Sequence, residues 1–436
     1  MAAIDIEPLL IAVGLMVVGA FFGNLVFKRF RLPDIIFLIT LGVILGPVTK
    51  FVDVDLFRAI APLVGTIAII IILFDGGLKV RYNEIIHGVA SGSLLALLVF
   101  SATALLCGLV ARYIIGVNWS LALLLGMALA GAGAAIVIPL IQQLGVSDRT
   151  KTIVSIEAAT ADVLVVVGVV GLATALALKQ AGGPGLDPGD FTKALVQTFA
   201  VGVAVGIAAG LGWVWALKQF AERGYEYALT MAVLFLMYAG VEMLHGSGAL
   251  AVLAFGLVVG NARKTTQVEN PELARKKGKR SWQYAPVFGV DLAHLHEELV
   301  FFIRAFFFVA LGVVINLDVL VTPRFIAVGL LLTLGVFLGR VWGVLVVLGR
   351  GKLAQWDKLA VTLMFPLGLA AAALSIVPYD RYGIAGTEDF GSYAAVVIVL
   401  TNLLSSALVY VVNLDRVRSK IFRDAPEAHD RPWAAP

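Results

Sequence analysis

Thirteen apolar stretches, each about twenty residues long and nearly free of charge, limit this sequence more than any other feature. A helix needs about 20 apolar residues to cross the hydrocarbon core of a bilayer. The stretches cover residues 8–27, 33–50, 59–78, 88–115, 119–145, 152–178, 192–217, 226–244, 247–261, 298–317, 325–349, 357–377 and 391–414. They take up most of the 436 residues, of which 60% are hydrophobic and 14% charged. A soluble domain carries roughly 25% charge, and a soluble chain could not cover so much apolar surface. The composition excludes a soluble enzyme, a nucleic-acid partner and a disordered scaffold. It predicts an all-α polytopic membrane protein with about thirteen transmembrane helices.

The basic residues fix an orientation. With the N-terminus outside, the odd-numbered connections and the tail hold 24 Lys and Arg residues, and the opposite side holds 7. Cytoplasmic loops carry such an excess. The C-terminus is then cytoplasmic, with a short tail over 415–436. The N-terminus is acidic, with Asp5 and Glu7, so the first stretch reads as a retained helix rather than a signal peptide. Residues 262–297, which contain RKTTQ and RKKGKR, read as a basic cytoplasmic loop held at an anionic leaflet. The single cysteine, Cys107, has no partner for an internal disulfide and sits in an apolar run.

Charges inside the spans are costly and therefore informative. Glu157 and Asp162 lie in span six, Arg304 in span ten and Arg340 in span eleven, and Asp75 lies near the inner end of span three. Glu157 and Asp162 are five residues apart, which on a helix is about 140° around and about 7.5 Å along the axis. They face different ways and should have different roles, one paired with an arginine and one facing a cavity. A carboxylate of the second kind can trade a proton for a cation.

Broken helices are the second clue. Span five carries Gly131, Gly133 and Pro139, and span twelve carries Pro366 and Gly368. Each is the fifth span of a run of six, spans one to six and eight to thirteen. An odd number of spans between the starts of the runs makes them two inverted six-helix repeats, and matched breaks in such repeats point to a binding site. The GAGAA run at 131–135 lacks the strand and third glycine of a dinucleotide fingerprint. HLHEE at 294–298 reads as a solvated loop ahead of span ten. No nucleophile–base pair or metal-spaced cluster lies in a loop large enough for an enzyme site, and no cofactor is expected.

Several stretches resemble the monovalent cation:proton antiporter superfamily, nearest its NhaP-like exchangers: RLPDIIFLITLGVILGP at 31–47, LFDGGL at 73–78, EAATAD at 157–162, GSGALAVLAFGLVVGN at 246–261, FFIRAFFFVALG at 301–312 and PLGLAAAAL at 366–374. The resemblance implies an NhaA/NhaP-like fold in a single transporter unit. It places ion-transport helices at about 88–178 and 325–414, with crossed broken helices, beside dimerisation helices in a homodimer. It also implies alternating exchange of Na⁺ or K⁺ for H⁺ across a prokaryotic inner membrane. Carried over by position, Asp162 is the carboxylate shared by cation and proton, Glu157 and Arg340 form a structural ion pair, and Asp75 is the acid near the cytoplasmic funnel. Thr160 and Ser155 are candidate further ligands, with Arg304 in support. The family's Thr-Asp-Pro at the first break reads Ala132, Gly133, Ala134, its Ser and Asn near the acids read Ala158 and Ala161, and its Arg in span twelve reads Leu367. Backbone carbonyls freed at the breaks, or water, would have to stand in for the missing oxygens. A channel or transporter of another solute on the same fold, or a sensor that has lost transport, are the alternatives.

Overall fold

A computed structural model of the chain describes residues 11, 13–23, 34–51, 54–79, 90–142, 144–181, 188–220, 225–244, 246–269, 282–286, 290–314, 322–349 and 353–412. Every predicted span falls on a helix or, twice, on a pair of half-helices. The first seven spans are α1 (Val13–Gly23), α2 (Asp34–Val43), α3 (Val54–Lys79), α4 (Ala90–Val110), the pair α5 (Trp119–Ala128) and α6 (Ala134–Gln142), α7 (Asp148–Ala181) and α8 (Pro188–Phe220). The remaining six are α9 (Glu226–Met243), α10 (Gly248–Asn261), α11 (Val290–Val314), α12 (Pro323–Leu348), the pair α13 (Gln355–Leu363) and α14 (Leu369–Asp380), and α15 (Phe390–Val412). Among the described residues, six helices, α4, α7, α8, α9, α12 and α15, are long and apolar enough to cross a membrane unbroken.

Local chemistry sets several ends. Asn118 caps α5 by accepting from the Leu121 N–H at 2.9 Å, and Ser247 caps α10 through the Leu250 N–H. Pro323 opens α12, where its missing N–H costs nothing. α4 widens into a π-helical turn over Ala111–Ile115 and stops at Gly116, whose φ of 95° lies in the left-handed region.

The stretch 262–297 is not a plain loop. Arg263–Glu269 (β1) pairs antiparallel with Trp282–Pro286 (β2), Gln267 opposite Tyr284. α11 begins at Val290, eight residues before the predicted span, so HLHEE is helical. The reason is visible in the spacing of His296, Val300, Ile303 and Phe307, which continues the helical stripe toward the N-terminus. The RKKGKR run, the basic residues at 28–31 and the tail at 415–436 lie outside the described residues.

The chain divides into two compact units. One comprises Met1–Ile69, Gly88–Gly183 and Phe302–Pro436, and the other Ile70–His87 and Pro184–Phe301. In the first, α4 packs along α12 and also on α5 and α7. Gly335, Gly339 and Gly343, four residues apart on α12, face Cys107, Thr103 and Val99 of α4, and a Cβ on Gly339 would lie 2.4 Å from the Thr103 hydroxyl. Close backbone approach of this kind drives helix association in lipid. The second unit repeats the device, with Gly202, Gly206 and Gly210 of α8 against Ser247, Ala251 and the Phe255–Val258 turn of α10.

Candidate functional site

The two broken spans meet within the first unit. The chain leaves the helix after Ala128 and resumes at Ala134, and it leaves again after Leu363 and resumes at Leu369. The Gly133 N–H donates to the Pro366 carbonyl at 3.0 Å. A Cβ on Gly133 would stand 2.8 Å from the Gly368 nitrogen, and one on Gly368 would stand 2.7 Å from the Gly133 Cα. The strands of backbone touch, and only glycine fits on either side. Gly131 lies in the first gap and Pro366 in the second. Pro139, expected as part of the first break, lies inside α6. A proline takes one hydrogen bond and bends a helix, whereas the chain departs from helix where the glycines allow the crossing.

Backbone groups released by the second gap are largely claimed by α15. The Asn402 amide donates to Leu367 O at 2.9 Å, the Ser405 hydroxyl donates to Leu363 O at 2.6 Å, and the Thr401 hydroxyl accepts from Leu367 N at 3.3 Å. Sequence reasoning left those carbonyls open to an ion. The polar run Thr401, Asn402, Ser405, Ser406 in an otherwise apolar span was the available signal. Unpaired backbone at this depth is costly, and these side chains remove that cost.

Glu157 and Arg340 form an ion pair between α7 and α12, with side chains 1% and 2% exposed. Arg340 does more than balance charge. Its Nε donates to Val361 O at 3.0 Å, in the last turn of half-helix α13. A cation at a helix C-terminus meets the negative end of the backbone dipole. One guanidinium thus serves a carboxylate and a severed helix end.

α7 is tied down at its start by a residue that sequence reasoning missed. Asp357, buried at the head of α13, accepts from the Ser147 hydroxyl at 2.6 Å and the Thr150 hydroxyl at 2.9 Å. The neighbouring Trp356 donates its indole N–H to Leu144 O at 3.0 Å. Asp357 stands beside Lys358 at the predicted edge of a span, where an acid reads as solvated.

Asp162 is partly exposed on α7, next to the buried Ala161. α7 is helical throughout, so helix geometry fixes what can stand near that carboxylate. Thr160 is about 160° around the helix from Asp162, and Ser155 is on the same side but about 10.5 Å along the axis. Thr160 therefore points to another side of α7 than Asp162, and Ser155 lies about two turns away on the same side. Arg304 is partly buried on α11.

Asp75 belongs to the second unit, at the end of α3. Its carboxylate lies 3.4 Å from His296 Nε2, and the Tyr227 hydroxyl lies 3.1 Å from His296 Nδ1. His296 is buried, with the Phe74 ring edge-on against it, where the sequence reading expected solvent. Among the described residues no group of three or more His, Cys, Asp and Glu side chains is arranged to hold a metal ion.

Comparison with known proteins adds a family match. Residues 16–412 match the family described as sodium/hydrogen exchanger, transmembrane. A K⁺/H⁺ antiporter NhaP of Alkalimonas amylolytica is 27% identical over 413 residues, 93% of this chain and 65% of that relative. The chain therefore spans less than two thirds of that relative's length. Na⁺/H⁺ antiporter 1 of Methanocaldococcus jannaschii is 25% identical over 381 residues, 84% of this chain and 83% of the relative. The solved structure of the sodium proton antiporter MjNhaP1 from the same organism, at pH 8, superposes with a TM-score of 0.71. It is 22% identical and covers 94% of this chain and 99% of its own.

Proposed function

The chain belongs to the sodium/hydrogen exchanger family, and from that premise we propose that it is a secondary antiporter exchanging Na⁺ or K⁺ for protons, with Asp162 as the carboxylate that both ions share. The observation that carries this reading is the division of labour on α7. Glu157 is committed to a buried arginine. Asp162 is partly accessible, about 140° around the same helix, on the unit where two half-helix pairs cross. A carboxylate in that position binds either a proton or a cation, and exchange follows if access alternates between the two sides of the membrane. A single titrating group gives electroneutral one-for-one exchange. The N-terminus lies outside and the protein works as a homodimer in this reading.

The oxygens around the carriage site are few. Ala132, Gly133, Ala158, Ala161 and Leu367 bring none from their side chains, and Leu363 O and Leu367 O are taken by α15. Small hard cations want several oxygen ligands, so water completes the shell here. K⁺, the more weakly hydrated ion, suits such a site at least as well as Na⁺.

The test is cation-driven dissipation of a pH gradient in proteoliposomes, with Na⁺, K⁺ and Li⁺ side by side. Asp162→Asn should melt like the wild type and dissipate nothing. Full activity in that variant removes Asp162 from the mechanism. A folded wild type that dissipates nothing with any cation favours a different solute.

A further inference from the structure

Beside the Glu157–Arg340 pair lies a cavity of about 20 Å³, within the first unit, lined by residues that include Thr103, Ala132, Glu157, Ala161, Arg340 and Phe365. Three polar atoms of its lining residues are fully buried and without a hydrogen-bond partner: Thr103 Oγ1, Glu157 Oε2 and Arg340 Nη2. Buried polar atoms in native proteins are almost always satisfied, by protein or by ordered water. That all three belong to residues lining one small cavity points to a polar occupant there.

Their chemistry selects it. Arg340 Nη2 can only donate, ionised Glu157 Oε2 can only accept, and the Thr103 hydroxyl can do either. The ligand must accept and donate at once. The guanidinium opposes a cation and the carboxylate opposes an anion. The size selects it too, since a cavity needs about 10–15 Å³ to hold one water, and a hydrated ion does not fit. We propose that this cavity is a hydration site, in which an ordered water bridges Thr103, Glu157 and Arg340, and that Thr103 is a positioning residue for the ion pair. Gly339 is part of the design, because any side chain there would occupy the space of the Thr103 hydroxyl. The water adds α4 to the set of helices that the pair already joins. Asp162 is not among the cavity's lining residues, so the proposal does not depend on which cation is moved.

Radiolytic hydroxyl labelling read by mass spectrometry tests this without any transport assay. Met364 and Phe365 both line the cavity and are buried, so a trapped water is their source of radicals. In the full-length wild type and in Thr103→Ser, both should be labelled above the level of the buried Phe308. In Thr103→Val, which keeps the shape and deletes the hydroxyl, their labelling should fall to that level while exposed Tyr113 is labelled as before. Unlabelled Met364 and Phe365 in folded wild type overturn the hydration site. Labelling that persists in Thr103→Val overturns the role of Thr103. If Thr103→Val does not fold, labelling is read in Gly339→Ser, which fills the hydroxyl's space. Loss there supports the site, and persistence overturns it.

Discussion

Deleting the charge pair from one side should hurt more than deleting it from both. Glu157→Met leaves the Arg340 guanidinium buried without its carboxylate, and breaking a buried pair in this way costs about 3–5 kcal/mol. Arg340→Met strands the carboxylate at a similar cost and also releases Val361 O, where an unsatisfied buried acceptor adds about 1–3 kcal/mol. The double variant Glu157→Met/Arg340→Met strands no charge. Well-packed apolar replacements of a buried pair are often neutral or better, so the released Val361 carbonyl is what remains, at about 1–3 kcal/mol. The expected order of thermal stability in detergent is wild type, then the double variant, then Glu157→Met, then Arg340→Met. On these figures the Val361 term cancels in the double-mutant cycle and the two mutations couple by about 6–10 kcal/mol, one stranded charge from each single variant, well above the roughly 0.5–3 kcal/mol usual for neighbouring residues. Scanning fluorimetry of all four proteins at one pH reads the order. A double variant less stable than both single ones would show that the pair does not hold α7 to α12 in the way described.

Two further outcomes follow from the crossing and the anchor. Gly368→Ala places a Cβ within 2.7 Å of backbone, whereas Gly240 has nothing within 4 Å of its own. The first should cost about 1–3 kcal/mol by overpacking and the second should be nearly silent, as read by melting of the two variants. Asp357→Ala removes the acceptor of two hydroxyl groups. It should cost about 1.5–3 kcal/mol and speed amide hydrogen exchange selectively at the start of α7, with no matching change in α15. Equal exchange in both helices would mean a global loss of stability rather than a released anchor.

The spans were legible because hydropathy over twenty residues is a long signal, and among the described residues each of the thirteen stretches carries a helix or a pair of half-helices. The breaks were legible as glycines and prolines, but not their geometry. Pro139 looks as disruptive as Pro366 in sequence, yet only a partner backbone at Gly133 and Gly368 decides where the chain leaves the helix. Polar residues inside apolar spans were read by charge, which picks out Glu157 and Arg340 and passes over Thr103, Asn402 and Ser405. Their work consists of hydrogen bonds to elements far away in sequence, and no local pattern carries that. Asp357 and His296 were misread for a related reason. Both stand near a span's edge, where hydropathy assigns water, and burial there depends on which helix packs over them.

The reach of Arg340 has a mechanical consequence. A single planar group grips α7 through Glu157 and the end of α13 through Val361, while its own helix is laced to α4 by a ladder of glycines. Asp357 and Trp356 fasten α13 to the turn before α7 a second time, at the far end. Drawing α4, α7, α12 or α13 away from the others therefore means breaking a buried charge pair, buried hydrogen bonds or close glycine packing.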